Sequence, residues 1–249
     1  GQIFDFLSIY LLLAIGIKGG VALSTTPAQE VWLPILVSIG VGCLIPVAVF
    51  YGLKILTPLD KINRGALAAH YGSTSLVTFT AGLVFLENSK LAVEGYMPSL
   101  LAVMEVPGII VGILLAKRSA KDGALSTALN EVFTSKSVIL LIGGILIGLA
   151  TGPNGYEKVE PFFGDIFAGM LTIFLLQLGI QAGKSVKEAR KAGFGLLAFA
   201  LGFPLVFGAL GVSLAQAIGI SQGGSVVFGL LCASASYICL LYTSPSPRD

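Results

Sequence analysis

Ile3–Gly20 reads IFDFLSIYLLLAIGIKGG, and Ile166–Gly183 reads IFAGMLTIFLLQLGIQAG. Each is an apolar run close to the roughly 20 residues that a helix needs to cross a hydrocarbon core about 30 Å thick. At an offset of 163, seven of the eighteen positions are identical, among them Gly16/Gly179, Ile17/Ile180 and Gly20/Gly183. The same offset, with no gap, lays Leu67–Ser73 (LAAHYGS) on Leu230–Ser236 (LLCASAS). Two membrane-crossing runs at one fixed spacing, followed by two matched polar segments, read as an internal repeat.

The rest of the chain has the same character. Of its 249 residues, 55% are hydrophobic and 11% charged, with a mean hydropathy of +0.92. Soluble domains carry about 25% charge, so this chain lacks the polar surface to cover a soluble fold. The same arithmetic excludes a disordered chain, a disulfide scaffold and a nucleic-acid binder. What remains is an all-α polytopic membrane protein embedded in a lipid bilayer. Apolar stretches near 3–23, 31–56, 65–86, 94–117, 137–151, 161–183, 193–219 and 223–242 give about eight spans. The fifth, at 15 residues, reaches only about 22 Å, so it must thin the bilayer or extend into its flanks.

Basic residues orient these spans. Lys54, Lys61 and Arg64, then Lys117, Arg118, Lys121 and Lys136, then Lys184, Lys187, Arg190 and Lys191 fall in alternate connections. The opposite side holds Lys18, Lys90 and Lys158. By the positive-inside rule the loops Lys54–Arg64, Lys117–Lys136 and Lys184–Lys191 are cytoplasmic, in a multi-pass plasma (inner) membrane protein. Five span-to-span steps separate the two repeat copies, and an odd number turns the second upside down. Inverted repeats are a construction of secondary transporters, whose site lies near the midplane where the copies meet. The expected organisation is a first inverted repeat over 1–117, a cytoplasmic loop over 118–136 and a second repeat over 137–242. Residues 243–249, with Pro245, Pro247, Arg248 and Asp249, do not continue a membrane helix and read as a non-native tail.

Inside the spans, the most polar segment is His70-Tyr71-Gly72-Ser73-Thr74-Ser75, followed by Thr78 and Thr80; its repeat counterpart is Ser234-Ala235-Ser236-Tyr237. Ser, Thr and Gly also serve ordinary helix packing, but two such clusters at equivalent repeat positions favour a shared site. Hydroxyls both donate to an oxyanion and coordinate a cation, and glycine permits an unwound backbone. Half-helix N-termini favour an anion, whereas freed carbonyls suit Na⁺. Gly72, Ser73, Thr74, Ser75, Ser234 and Ser236 are thus the candidate substrate-binding residues. No arginine lies in either motif, so a small monoanion fits better than a dianion.

Glu105, in Met104-Glu105-Val106-Pro107-Gly108, is the acid deep in a span. An ionised carboxylate there costs roughly 2.5–3.5 kcal/mol, which makes it a functional candidate. Glu105, Thr78 and Tyr237 are the candidate ion-coupling residues. His70 reads as a packed or hydroxyl-bonded residue rather than a proton relay. Gly108-x-x-x-Gly112 and Gly144-x-x-x-Gly148 are helix-contact patterns, and Cys43, Cys232 and Cys239 read as small buried hydrophobes. With one histidine and no phosphate-loop, dinucleotide or metal-cluster motif, the chain is not expected to be an enzyme or to carry a cofactor beyond Na⁺ as coupling ion. Symport of another small anion is the nearest alternative. A membrane sensor or scaffold, recruiting a partner through Lys184, Lys187, Arg190 and Lys191, is the alternative from another class.

Ala14-Ile15-Gly16-Ile17-Lys18-Gly19-Gly20, Gly72-Ser73-Thr74, Glu105-Val106-Pro107 and Ala233-Ser234-Ala235-Ser236, in that order, resemble the sodium-dependent bicarbonate transporter family. The resemblance runs to about Ile238. It implies sodium-coupled bicarbonate uptake by ten spans in two inverted five-helix (5+5) repeats, so the first span and everything after the ninth would be missing here, a chain truncated at both ends. It places the substrate region at Gly72–Ser75 and Ser234–Ser236. It also implies a trimer and, in some members, a PII-like regulatory protein. Two positions depart from the family: Glu105 stands where members tend to carry Asp, and Tyr237 where they tend to carry an acid nearby.

Overall fold

The computed structural model of the chain describes residues 2–117, 134, 136–189 and 193–236. Among these, all regular structure is helical: α1 (Gln2–Thr25), α2 (Ala28–Leu56), α3 (Lys61–Gly72), α4 (Leu76–Asn88), α5 (Met97–Lys117), α6 (Lys136–Glu157), α7 (Phe167–Ala189), α8 (Phe194–Ala217) and α9 (Gln222–Ala233). A π-helical turn, Pro161–Asp165, leads into α7. Five segments are long and apolar enough to cross a membrane: Ile3–Thr25, Ala28–Leu56, Val138–Glu157, Pro161–Lys184 and Phe194–Ala217. Met97–Gly112 and Gln222–Ala233 are shorter apolar helices. The apolar residues that face outward, such as Ile55, Phe194, Leu201 and Leu205, suit lipid as their solvent.

The expected span 65–86 is not one helix. It is two, α3 and α4, separated by the extended residues 73–75. The short span expected at 137–151 extends into both flanks. As α6 it spans 22 residues, in two helical pieces joined across Gly152, so it is longer than the expected span but not one straight helix. Gly152 kinks it at φ 58, a left-handed conformation that glycine adopts without strain, immediately before Pro153. The loop residues 118–133, the 243–249 tail and Tyr237 lie outside the described residues.

Shifted by 163, α1 maps to 165–188, α2 to 191–219 and α3 to 224–235. Each falls within three residues of both ends of α7, α8 and α9 respectively. α2 packs on α3, and likewise α8 packs on α9.

Small residues set the closest helix contacts. Gly16 and Gly20 of α1 meet Gly144 and Gly148 of α6 so tightly that a Cβ on Gly148 would fall on the Ile17 carbonyl. On α5, Gly108 meets Gly72 and Gly112 meets Ala69, which brings α3 against α5 backbone to backbone. Around these contacts Leu11, Ile45, Phe79, Leu101, Met104 and Phe228 form the buried core.

A polar link ties the two halves at the start of α9. The Glu94 carboxylate, in the connection between α4 and α5, accepts from the Ser221 N–H (2.7 Å) and the Ser221 hydroxyl (3.0 Å). Ser221 is the α9 N-cap and in turn accepts from the Gly224 N–H (3.1 Å). An acid at a helix N-terminus gains from the helix dipole as well as from these bonds. Glu94 is only half-buried, so Glu94→Ala is expected to cost about 1 kcal/mol, the scale of a lost cap. A lowered Tm in detergent would register it, and an unchanged Tm would refute the clamp.

Candidate functional site

The site begins with a helix that stops inside the apolar layer. Gly72 ends α3, Ser73 turns extended (φ −92, ψ 127), and Ser75 caps α4 by accepting from the Thr78 N–H at 3.2 Å. Serine serves here as an N-cap because its short hydroxyl reaches the orphan donors of the next turn. In the second half, α9 ends the same way, at Ser234 (φ −86, ψ 162).

The two breaks cross. The Ser75 N–H donates to Ser234 Oγ (2.9 Å), and that hydroxyl donates on to the Leu231 carbonyl (3.0 Å). The Ser236 N–H donates to both the His70 carbonyl (2.8 Å) and the Ser73 carbonyl (3.0 Å). Nδ1 of His70 lies 2.9 Å from the Ser236 carbonyl. Gly72, Ser73, Thr74, Ser75, Ser234 and Ser236 are all buried. Six candidate substrate residues, from segments about 160 residues apart, are thereby brought into one place.

α5 closes the crossing from one side. Thr74 Oγ1 donates to the Leu101 carbonyl (3.3 Å), and Gly108 abuts Gly72. Leu101, Glu105, Gly108 and Gly112 recur at spacings of four, three and four, which is one stripe of an α-helix. Glu105 therefore shares the stripe that meets the break, at a level between Thr74 and Gly72, and it is 3% exposed. Thr78 sits one turn into α4, half-buried. Tyr71, beside His70, packs edge-on against Phe199 and Phe203 of α8 (ring centroids 5.4 and 4.4 Å).

One group at the centre is unsatisfied. Ser73 Oγ is fully buried and has no hydrogen-bond partner among the described residues. A buried hydroxyl left so costs about 1–3 kcal/mol, which a polar ligand would recover. Among the described residues no group of three or more His, Cys, Asp or Glu side chains is arranged to hold a metal. A cation here would instead meet hydroxyl and carbonyl oxygens beside one carboxylate. The α3 and α9 C-termini bring their negative ends to the crossing, and the α4 N-terminus brings its positive end. The arrangement brings backbone and hydroxyl donors and acceptors together at one buried crossing.

Sequence reasoning missed two features. His70 bonds a carbonyl, where a hydroxyl or simple packing was expected; its repeat counterpart is Ala233, so the 163-residue match carried no signal. The Glu94 clamp joins residues 127 apart, neither in a motif.

Compared with known protein families, residues 1–240 match a family model described as the Na+-dependent bicarbonate transporter superfamily. No curated protein matches the chain.

Proposed function

The chain belongs to the Na+-dependent bicarbonate transporter superfamily, and on that premise we propose that it is a sodium-coupled symporter taking up bicarbonate by alternating access. It is a transporter and not an enzyme. The observation that carries the mechanism is the buried crossing of Ser73–Ser75 with Ser234–Ser236, with the Ser73 hydroxyl unsatisfied and Glu105 on the adjoining stripe. Bicarbonate is the monoanion bound at the α4 N-terminus and the serine hydroxyls. Na⁺ takes the Glu105 side and the freed carbonyls of α3 and α9, the division of labour that discontinuous helices provide in secondary transporters.

The architecture that goes with this has eight crossings. α3 and α4 together make one, α5 a second and α9 contributes to a third, beside the five long apolar helices. The agreement of helix boundaries under the 163 shift supports two repeats, inverted because five span-to-span steps, an odd number, lead from one copy to the other. The basic loops 54–64, 117–136 and 184–191 then face the cytoplasm from the plasma membrane.

Coupling follows from charge. Carrying one negative charge inward against 100 mV costs about 2.3 kcal/mol, and one accompanying Na⁺ cancels that cost. In vesicles, labelled bicarbonate is expected to accumulate under an inward Na⁺ gradient and not in potassium buffer. Equal uptake in both would defeat the coupling. Competition by short carboxylates in the same assay separates bicarbonate from the other small anions.

A further inference from the structure

We infer that His70 is a positioning residue of the transport site, acting through the main chain of Ser236; the inference rests on the symporter reading for its functional consequence but not for its geometry. Ser236 ends the extended stretch Ser234–Ser236 that follows α9. Inside a membrane, such backbone persists only where protein satisfies it, because no water is there to do so. His70 meets both polar groups of that one residue. Its carbonyl, orphaned at the α3 C-terminus, accepts from the Ser236 N–H at 2.8 Å, and its ring Nδ1 lies 2.9 Å from the Ser236 carbonyl.

The tautomer follows from the partners. A carbonyl oxygen can only accept, so Nδ1 must carry the proton and donate it. A neutral ring protonated at Nδ1 leaves Nε2 as the unprotonated nitrogen. The two-point pairing fixes the Ser236 peptide against α3. Through it the pairing sets the position of the Ser234–Ser236 segment, whose Ser234 hydroxyl receives the Ser75 N–H. His70 is thus the fastening by which the second half's broken helix is held in register with the first half's. Its neighbour Tyr71 adds an aromatic contact to α8 but no polar one to the crossing.

The chain has one histidine, so a ¹⁵N-histidine label reports on this ring alone. In nanodiscs, the full chain is expected to show a protonated, pyrrole-like Nδ1 and an unprotonated Nε2. The reverse tautomer would overturn the inference without reference to transport. Two variants then test the consequence. His70→Asn places an amide N–H where Nδ1 lies, and is expected to keep the KM for Na⁺ and bicarbonate within about threefold. His70→Leu fills the space without a donor, and is expected to raise KM about tenfold, equivalent to about 1.4 kcal/mol, with kcat less affected. A ring that merely packs predicts the opposite order, with leucine tolerated and asparagine harmful, and that result would also overturn the inference. Absence of sodium-dependent uptake in the unsubstituted protein would remove the symporter reading, while the imidazole spectrum would still decide the pairing.

Discussion

Gly108→Val is expected to leave little folded protein. A Cβ on Gly108 would fall on the carbonyl of Gly72, and within 3.0 Å of the Gly72 Cα. Both atoms belong to the backbone at the end of α3, where nothing flexible can move aside. Valine adds two further carbons to the clash. Overpacking a well-packed site typically costs about 1–3 kcal/mol, and this case belongs at or above the upper end because the obstacle is main chain. Relief would require α5 to separate from α3, which would pull Thr74 from Leu101 and open the crossing. Helix propensity does not oppose the change, since valine is a better helix former than glycine. Gly40→Val and Gly143→Val are matched controls, because a Cβ at either position meets nothing within 4 Å. Size-exclusion profiles and thermal unfolding in detergent should show the two controls near the parent and Gly108→Val aggregated or strongly destabilised. Three equal profiles would mean that α5 does not press on the α3 end.

The contrast between those glycines marks how far the sequence could be read. Gly108-x-x-x-Gly112 and Gly144-x-x-x-Gly148 announced close helix contacts, but spacing alone does not name the partner. Their facing residues, Gly72 with Ala69 and Gly16 with Gly20, emerge only when the helices are placed. Hydropathy located α1, α2 and α8 because long apolar runs leave few other options in a bilayer. It could not end α3 at Gly72, since 65–86 is apolar throughout its flanks; the hydroxyl cluster was the signal there, and the 163-residue repeat carried that signal to Ser234–Ser236. The continuation of α6 beyond Gly152-Pro153 was illegible, because a Gly-Pro pair marks a break without saying whether a helix resumes after it. The role of His70 was hidden for a different reason. Its partners are the N–H and carbonyl of Ser236, and backbone groups carry no residue identity that a sequence could display.

Glu105→Gln is expected to lower sodium-dependent uptake by tenfold or more, at least about 1.4 kcal/mol of lost stabilisation of the loaded state. Glutamine keeps the shape and polarity of glutamate and removes only the charge, so α5 should keep its place beside Thr74 and Gly72. On the proposed reading, what would be lost is the negative group that answers Na⁺ at a depth where water cannot. An ionised carboxylate at this depth costs roughly 2.5–3.5 kcal/mol, and a bound cation would lower that cost. The substitution should therefore raise the Na⁺ concentration needed for half-maximal uptake more than it raises the bicarbonate requirement, and it should make the uptake curve less steep in Na⁺. A Glu105 that is protonated and merely hydrogen-bonded predicts otherwise. Glutamine reproduces the donor and acceptor of a neutral carboxylic acid, so uptake and its Na⁺ dependence would then be unchanged. Uptake measured against Na⁺ concentration for the two proteins, at equal amounts in the membrane, separates a carboxylate that meets the ion from one that only joins two helices.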